Sequence, residues 1–132
     1  ETYQNEGFDG LLFCNEADMP FSIGVEHITP AAMVAVISKL QSVMKIPFGT
    51  DVIMDNKAAI SVAAVTGGKF VRGIFTNAYI SEMGILDTDG AGDIMYKKHI
   101  NARWPGYILL FTCSMALSHT YYFTLFIIYN PL

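Results

Sequence analysis

Four carboxylates and one arginine carry the most promising chemistry in the sequence. Glu16 and Asp18 follow an apolar run that ends at Cys14, while Asp51 and Asp55 lie within and just after a second run. If those runs are neighbouring strands, carboxylates at their ends converge, and a converging set can serve as acid and base or hold a cation. For Asp55 the alternative is a helix cap, and for Asp18 a solvated loop residue. Arg72 stands inside a third apolar stretch, "KFVRGIFTNAY", Lys69 to Tyr79. A guanidinium buried there needs an anionic partner.

The remaining reactive types form no recognisable set. His27, His99 and His119 lack ligand spacing such as HExxH, so no metal is expected. "GTDVIMD" and "TDGAGD" match neither a phosphate loop nor a dinucleotide fingerprint, and no cofactor is expected. "DTDGAGD" lacks the closing glutamate of a calcium loop and reads as a flexible turn. Ser61, Ser81 and Ser114 have no nucleophile-elbow context. Cys14 and Cys113 lie far apart in apolar runs and read as inert buried thiols.

The elements that must position these residues follow from apolar periodicity. "FDGLLFC", Phe8 to Cys14, suits a strand buried on both faces. Thr29-Pro30 predicts a helix start with Thr29 as N-cap, and Met33, Val36, Ile37, Leu40, Val43 and Met44 continue at helical spacing. Ile46 to Met54 reads as a second strand. Asp55 or Asn56 caps the next helix, which Gly67 and Gly68 end. The Lys69–Tyr79 stretch is a third strand, "YISEMGILDTDGAGD" a long loop, Ala91 to Ile100 a short helix, and Tyr107 to Cys113 a fourth strand.

This alternation implies an α/β fold with a parallel sheet. A doubly wound sheet and a (β/α)8 TIM barrel both fit. Polar pairs at strand ends (Asn15 and Glu16, Asp55 and Asn56, Thr76 and Asn77) favour the barrel, whose sites are built there. A whole barrel needs about 250 residues, so four βα units in 132 residues are expected to be half of one, a fragment. Half a barrel leaves open edges, and the isolated chain is expected to be insoluble, oligomeric or partly molten. Counting alternately, Phe70, Arg72 and Ile74 share a face, as do Gly49, Asp51 and Ile53. Arg72 is therefore expected to point into the barrel and pair with Asp51, or with Glu16.

Three ordered motifs support a more specific reading. "GFDGLLFCNEADMPF", "IPFGTDVIMDNKAAISVAAVTGGKFVRGIFTNAY" and "SEMGILDT" together resemble the BtpA/SgcQ family, in particular its SgcQ-like branch, over about residues 1–102. The resemblance implies an architecture like that of phosphate-binding TIM barrels. It points to Asn15, Glu16, Asp18, Pro20, Asp55, Arg72, Thr76, Gly84 and Asp87 as family positions. Asp51 departs from the pattern, where the family usually carries Asn. The expected site therefore has Glu16 and Asp55 as catalytic groups, and Asn15, Arg72, Thr76, Asn77 and Asp87 as ligand-binding groups. Asp51 and Arg72 form a structural ion pair in the same reading.

No reaction is established for the family, and one branch is associated with photosystem I biogenesis. Two functions stay open. The parent protein is an enzyme acting on a small sugar-phosphate or nucleoside-like ligand at the barrel mouth, or it is a non-catalytic assembly or stability factor. A small phosphorylated ligand and an oligomeric full-length relative are expected. A formal charge of −4 and the lack of a basic cluster argue against nucleic acid.

After Arg103 the composition changes: Trp104 to Leu132 contains no Asp, Glu, Lys or Arg. The barrel part is accordingly placed at 1–103 and an apolar tail at 104–132. The tail is a membrane anchor through 107–129, divergent barrel sequence, or translation past a frameshift or into an intron, with the third favoured. A cytoplasmic location is expected, with an organellar or membrane-associated one as the alternative through that tail.

Overall fold

The computed structural model describes residues 2–76, 78–81, 84–102 and 107–110. A one-turn helix, α1 (Thr2–Asn5), precedes strand β1 (Leu11–Cys14). Helix α2 (Ile28–Leu40) continues into a 3-10 turn at Gln41–Val43 and leads to β2 (Phe48–Asp51). Helix α3 (Asn56–Thr66) is followed by β3 (Phe70–Gly73). A hairpin of β4 (Ala78–Ser81) and β5 (Gly84–Asp87) then precedes α4 (Gly90–His99) and β6 (Tyr107–Leu110).

The main sheet has the order β1-β2-β3-β6, and every pair in it is parallel. Strand order follows chain order, with β4 and β5 set aside in their own antiparallel ribbon.

Period-two alternation assigns each strand residue to a side. Phe48, Thr50 and Val71 turn toward the helices and join Ile37, Ala59, Ile60, Val62 and Ala63 in the core. Leu11 and Phe13 of β1 pack on the same side, and the Phe13 ring meets Phe48 edge-on at 5.6 Å. On this face α3 adjoins α2 on one side and α4 on the other, with Tyr96 and Ile100 packed against the core from the α4 side.

Helix α3 shows how local sequence sets an element. Asp55 caps it by accepting from Ala58 N at 2.9 Å, and Gly67 ends it at φ 74°, a conformation that favours glycine. Its buried residues, 59, 60, 62, 63 and 66, form one stripe. The buried hydroxyls are satisfied: Thr50 donates to Ala59 O at 2.8 Å, and Thr66 to Val62 O at 2.7 Å.

Several expectations are corrected. Strands β1, β2 and β3 each span four residues, fewer than the apolar run that contains them. The third run breaks after Gly73, and its last two residues, Ala78 and Tyr79, open the hairpin. The expected long loop is β5 followed by the capped start of α4, since Ile80 pairs with Ile85 and Ser81 with Gly84. Thr29 is not the cap of α2, because its hydroxyl instead donates to Asp18 Oδ2 at 2.8 Å. Val36 and Leu40, assigned to the apolar stripe of α2, are exposed. Among the described residues, no helix is long and apolar enough to cross a membrane. Asn77, Cys113 and the remainder of the apolar tail from 111 onward lie outside the described residues.

Candidate functional site

On the sheet face away from the helices, Gly49, Asp51, Phe70 and Arg72 are neighbours. The Phe70 ring lies directly over Gly49, where any Cβ would overlap it. Beyond that contact, toward the strand ends, Arg72 Nε donates to Asp51 Oδ2 at 2.6 Å. The carboxylate is buried, with 6% of its side chain exposed, whereas the Arg72 side chain is 35% exposed. The Cys14 thiol, one strand away, donates to the same oxygen at 3.7 Å.

These contacts set the protonation of the cluster. Burial pushes the Asp51 carboxyl above its ordinary value, outweighing the pull of Arg72 and the hydrogen bonds from Arg72 and Cys14. Burial, followed by the nearby Asp51 charge, pushes the Cys14 thiol up to about 12. A thiol in that state stays protonated at neutral pH and is a poor nucleophile.

A cleft of about 380 Å³ opens beside this pair at the carboxyl ends of β2 and β3. Asp51, Asp55, Arg72 and Asp87 line it, so four of the expected site residues come together. So do three residues outside that set: Asn56, Asp89 and Asp93. Met54, also in the lining, holds φ 66°, a left-handed conformation costly for a side chain of its kind.

Inside the cleft the carboxylates have different duties. Asp55 caps α3 with one oxygen, and with the other accepts from Val25 N at 3.2 Å, pinning the loop after β1. Asp89 caps α4 by accepting from Gly92 N at 2.9 Å. Asn56 donates from Nδ2 to Ile74 O at 2.6 Å and to Asp93 Oδ2 at 2.8 Å, tying the end of β3 to the first turn of α4. Asp87 is exposed at the end of β5.

The other expected residues lie elsewhere. Asn15 Oδ1 accepts from Ile53 N at 2.8 Å, and its amide donates to Asp18 Oδ2 at 3.4 Å. Both residues line a smaller cleft of about 200 Å³ with Pro20 and Thr29. Glu16 is exposed and Thr76 half-buried, and neither lines either cleft. Asp89 and Asp93 were missed in the sequence; their spacing of four puts them one helical turn apart, but it does not reveal the contact of Asp93 with Asn56.

The chain matches the BtpA family profile over residues 1–125. It belongs to the BtpA family. The match continues beyond Arg103, through most of the segment for which the sequence left three explanations open. The putative sgc region protein SgcQ of Escherichia coli (strain K12) is 41% identical over 99 residues, covering 75% of this chain and 37% of that protein. An uncharacterized Archaeoglobus fulgidus protein is 31% identical over 122 residues, covering 89% of this chain and 46% of its own length. The photosystem I biogenesis protein BtpA of Synechocystis sp. is 26% identical over 101 residues, 73% of this chain and 34% of the relative. This BtpA-family chain thus spans between about a third and a half of the curated relatives it matches. No solved structure matches it.

Proposed function

We propose that this chain forms consecutive βα units of a (β/α)8 barrel, and that the cleft at its strand ends binds a small anionic metabolite on which the whole protein acts. Two features support the barrel. The strand order never reverses, so there is no switch point of the kind that divides a doubly wound sheet. Right-handed crossovers that all advance in one direction leave their helices on one face, where α2, α3 and α4 adjoin.

The single observation that carries the ligand reading is the cleft where Arg72, Asp51, Asp55 and Asp87 meet at the carboxyl ends of parallel strands. Ligand sites of barrels are built at that end. Arg72 is the natural anchor for a phosphate or carboxylate, because its planar fork matches two oxygens. Asp55 is better read as a helix cap than as a catalytic group, since both of its oxygens accept backbone N–H bonds. Asn15 and Asp18 would then shape the neighbouring rim, with Glu16 and Thr76 outside the contact set.

A second reading keeps the fold and drops the chemistry: the barrel serves as a scaffold in assembling other proteins. One observation favours it, the name of the Synechocystis relative as a photosystem I biogenesis protein. Thermal-shift titration of the full chain and of full-length SgcQ with a panel of phosphorylated sugars separates the two. The ligand reading expects saturable stabilisation that is lost in Arg72→Met. A flat response to the whole panel favours the scaffold.

A further inference from the structure

Five aspartates line the main cleft, and four have an evident duty or are solvated. Asp51 holds Arg72 and Cys14, Asp55 caps α3 and pins a loop, Asp89 caps α4, and Asp87 is exposed. Asp93 is as buried as Asp51, at 5% exposed, but the partner seen on its Oδ2 is neutral, the Asn56 amide at 2.8 Å. Among the described residues, Oδ1 receives no hydrogen bond and no ion pair. A buried carboxylate bonded on one oxygen to a neutral amide is an unfavourable arrangement, and a donor on the second oxygen would relieve it.

The surroundings hold this group still. Asn56 begins α3 directly after its cap and is anchored to Ile74 O at 2.6 Å. Gly73 lies so close that a Cβ there would overlap Asn56 Oδ1, and a Cβ on Gly90 would overlap the Phe75 carbonyl. Gly73 lets the start of α3 approach the end of β3, and Gly90 lets the start of α4 approach the segment just after β3. The close approach fixes Asn56, and Asn56 fixes Asp93.

The geometry points to Asp93, positioned by Asn56, as the cleft carboxylate that accepts a hydrogen bond from a ligand hydroxyl. The inference rests on the reading of the cleft as a ligand site, and it narrows the ligand class. The molecule carries an anionic group for Arg72 and at least one hydroxyl donor for Asp93, as a phosphorylated or carboxylated polyol does. A site that bonds a hydroxyl through a buried acceptor discriminates strongly against analogues lacking it.

Asp93→Asn is the decisive variant. It keeps the size of the side chain and an oxygen for Asn56, while removing the charge and the second acceptor. The full chain is melted alone, with inorganic phosphate, and with ribose 5-phosphate. The expected result is a ligand-free Tm unchanged within about 2 °C or raised. The ribose 5-phosphate needed for half-maximal stabilisation rises at least about tenfold, and the phosphate response is unaltered. Asn56→Ser, which frees Asp93 without touching its charge, weakens the ribose 5-phosphate response in the same direction. If ribose 5-phosphate stabilises the wild type and Asp93→Asn equally, or if Asp93→Asn lowers the ligand-free Tm while keeping the ribose response, Asp93 is a strut and the inference fails alone. If neither probe stabilises the wild type, the ligand reading falls and takes this inference with it.

Discussion

On the helix side of the sheet, Phe48, Thr50 and Val71 are sealed among Ile37, Ile60 and Val62. The alternate residues on the same strands, Gly49, Asp51, Phe70 and Arg72, face the other way and end in a charged pair whose carboxylate is buried and whose arginine is part-exposed. Among the described residues, one side has a single polar side chain from the strands, Thr50, and its hydroxyl is satisfied within the core. The other gathers a carboxylate, a guanidinium and a thiol on one oxygen. The contrast teaches a division of labour that a period of two makes possible. The helix side holds the fold, and the opposite side carries polar groups to the strand ends, where a ligand can reach them.

The comparison breaks first if the helix side is not the stabilising one. Ile60→Ala, at a fully buried position, should lower the unfolding free energy by about 2–5 kcal/mol in urea titration. A loss comparable to that of a surface substitution would mean that the core is not packed as described. Gly49→Ala should cost about 1–3 kcal/mol, because the new methyl group meets the Phe70 ring. Combining it with Phe70→Leu should recover most of that loss, and an additive double variant would refute the contact.

Much of this division was legible in the sequence. Helix α3 was readable because Asp55, its apolar stripe and Gly67 all point to the same segment. The contact between Arg72 and Asp51 could be placed by counting alternate residues on two adjacent strands, given that an embedded arginine needs an anion. The hairpin was hidden because Gly84 and the polar residues around it read as loop, while the Ile80–Ile85 pairing is exposed and leaves no buried pattern. Asp93 was hidden for a different reason. "DTDGAGD" looks like a flexible turn until Asp89 is seen to cap a helix, and only the packing of α4 against α3 brings Asp93 to Asn56.

Smaller effects sharpen the contrast within the cleft. Asp55→Ala should cost about 1 kcal/mol through the lost helix cap, with ligand response retained; a loss of response without a loss of stability would restore Asp55 as a binding group. The pH dependence of Asp51 has a definite sign. Its folded-state pKa is raised above the ordinary 3.8, so the stability it contributes is fully present below that value. That contribution is lost as the pH rises through the folded pKa. Asp51→Asn does not titrate, so the Tm difference, variant minus wild type, should grow more positive across that window. A difference that grows more negative would show that the ion pair, and not burial, governs the carboxyl.

The most direct test replaces the charged pair whole. If the face away from the helices serves a ligand more than the fold, Asp51→Leu combined with Arg72→Met should leave the unfolding free energy in urea within about 1 kcal/mol of the wild type, or raise it, as apolar replacements of buried ion pairs often do. A loss as large as that of Ile60→Ala would contradict the account and make the pair a strut of the fold.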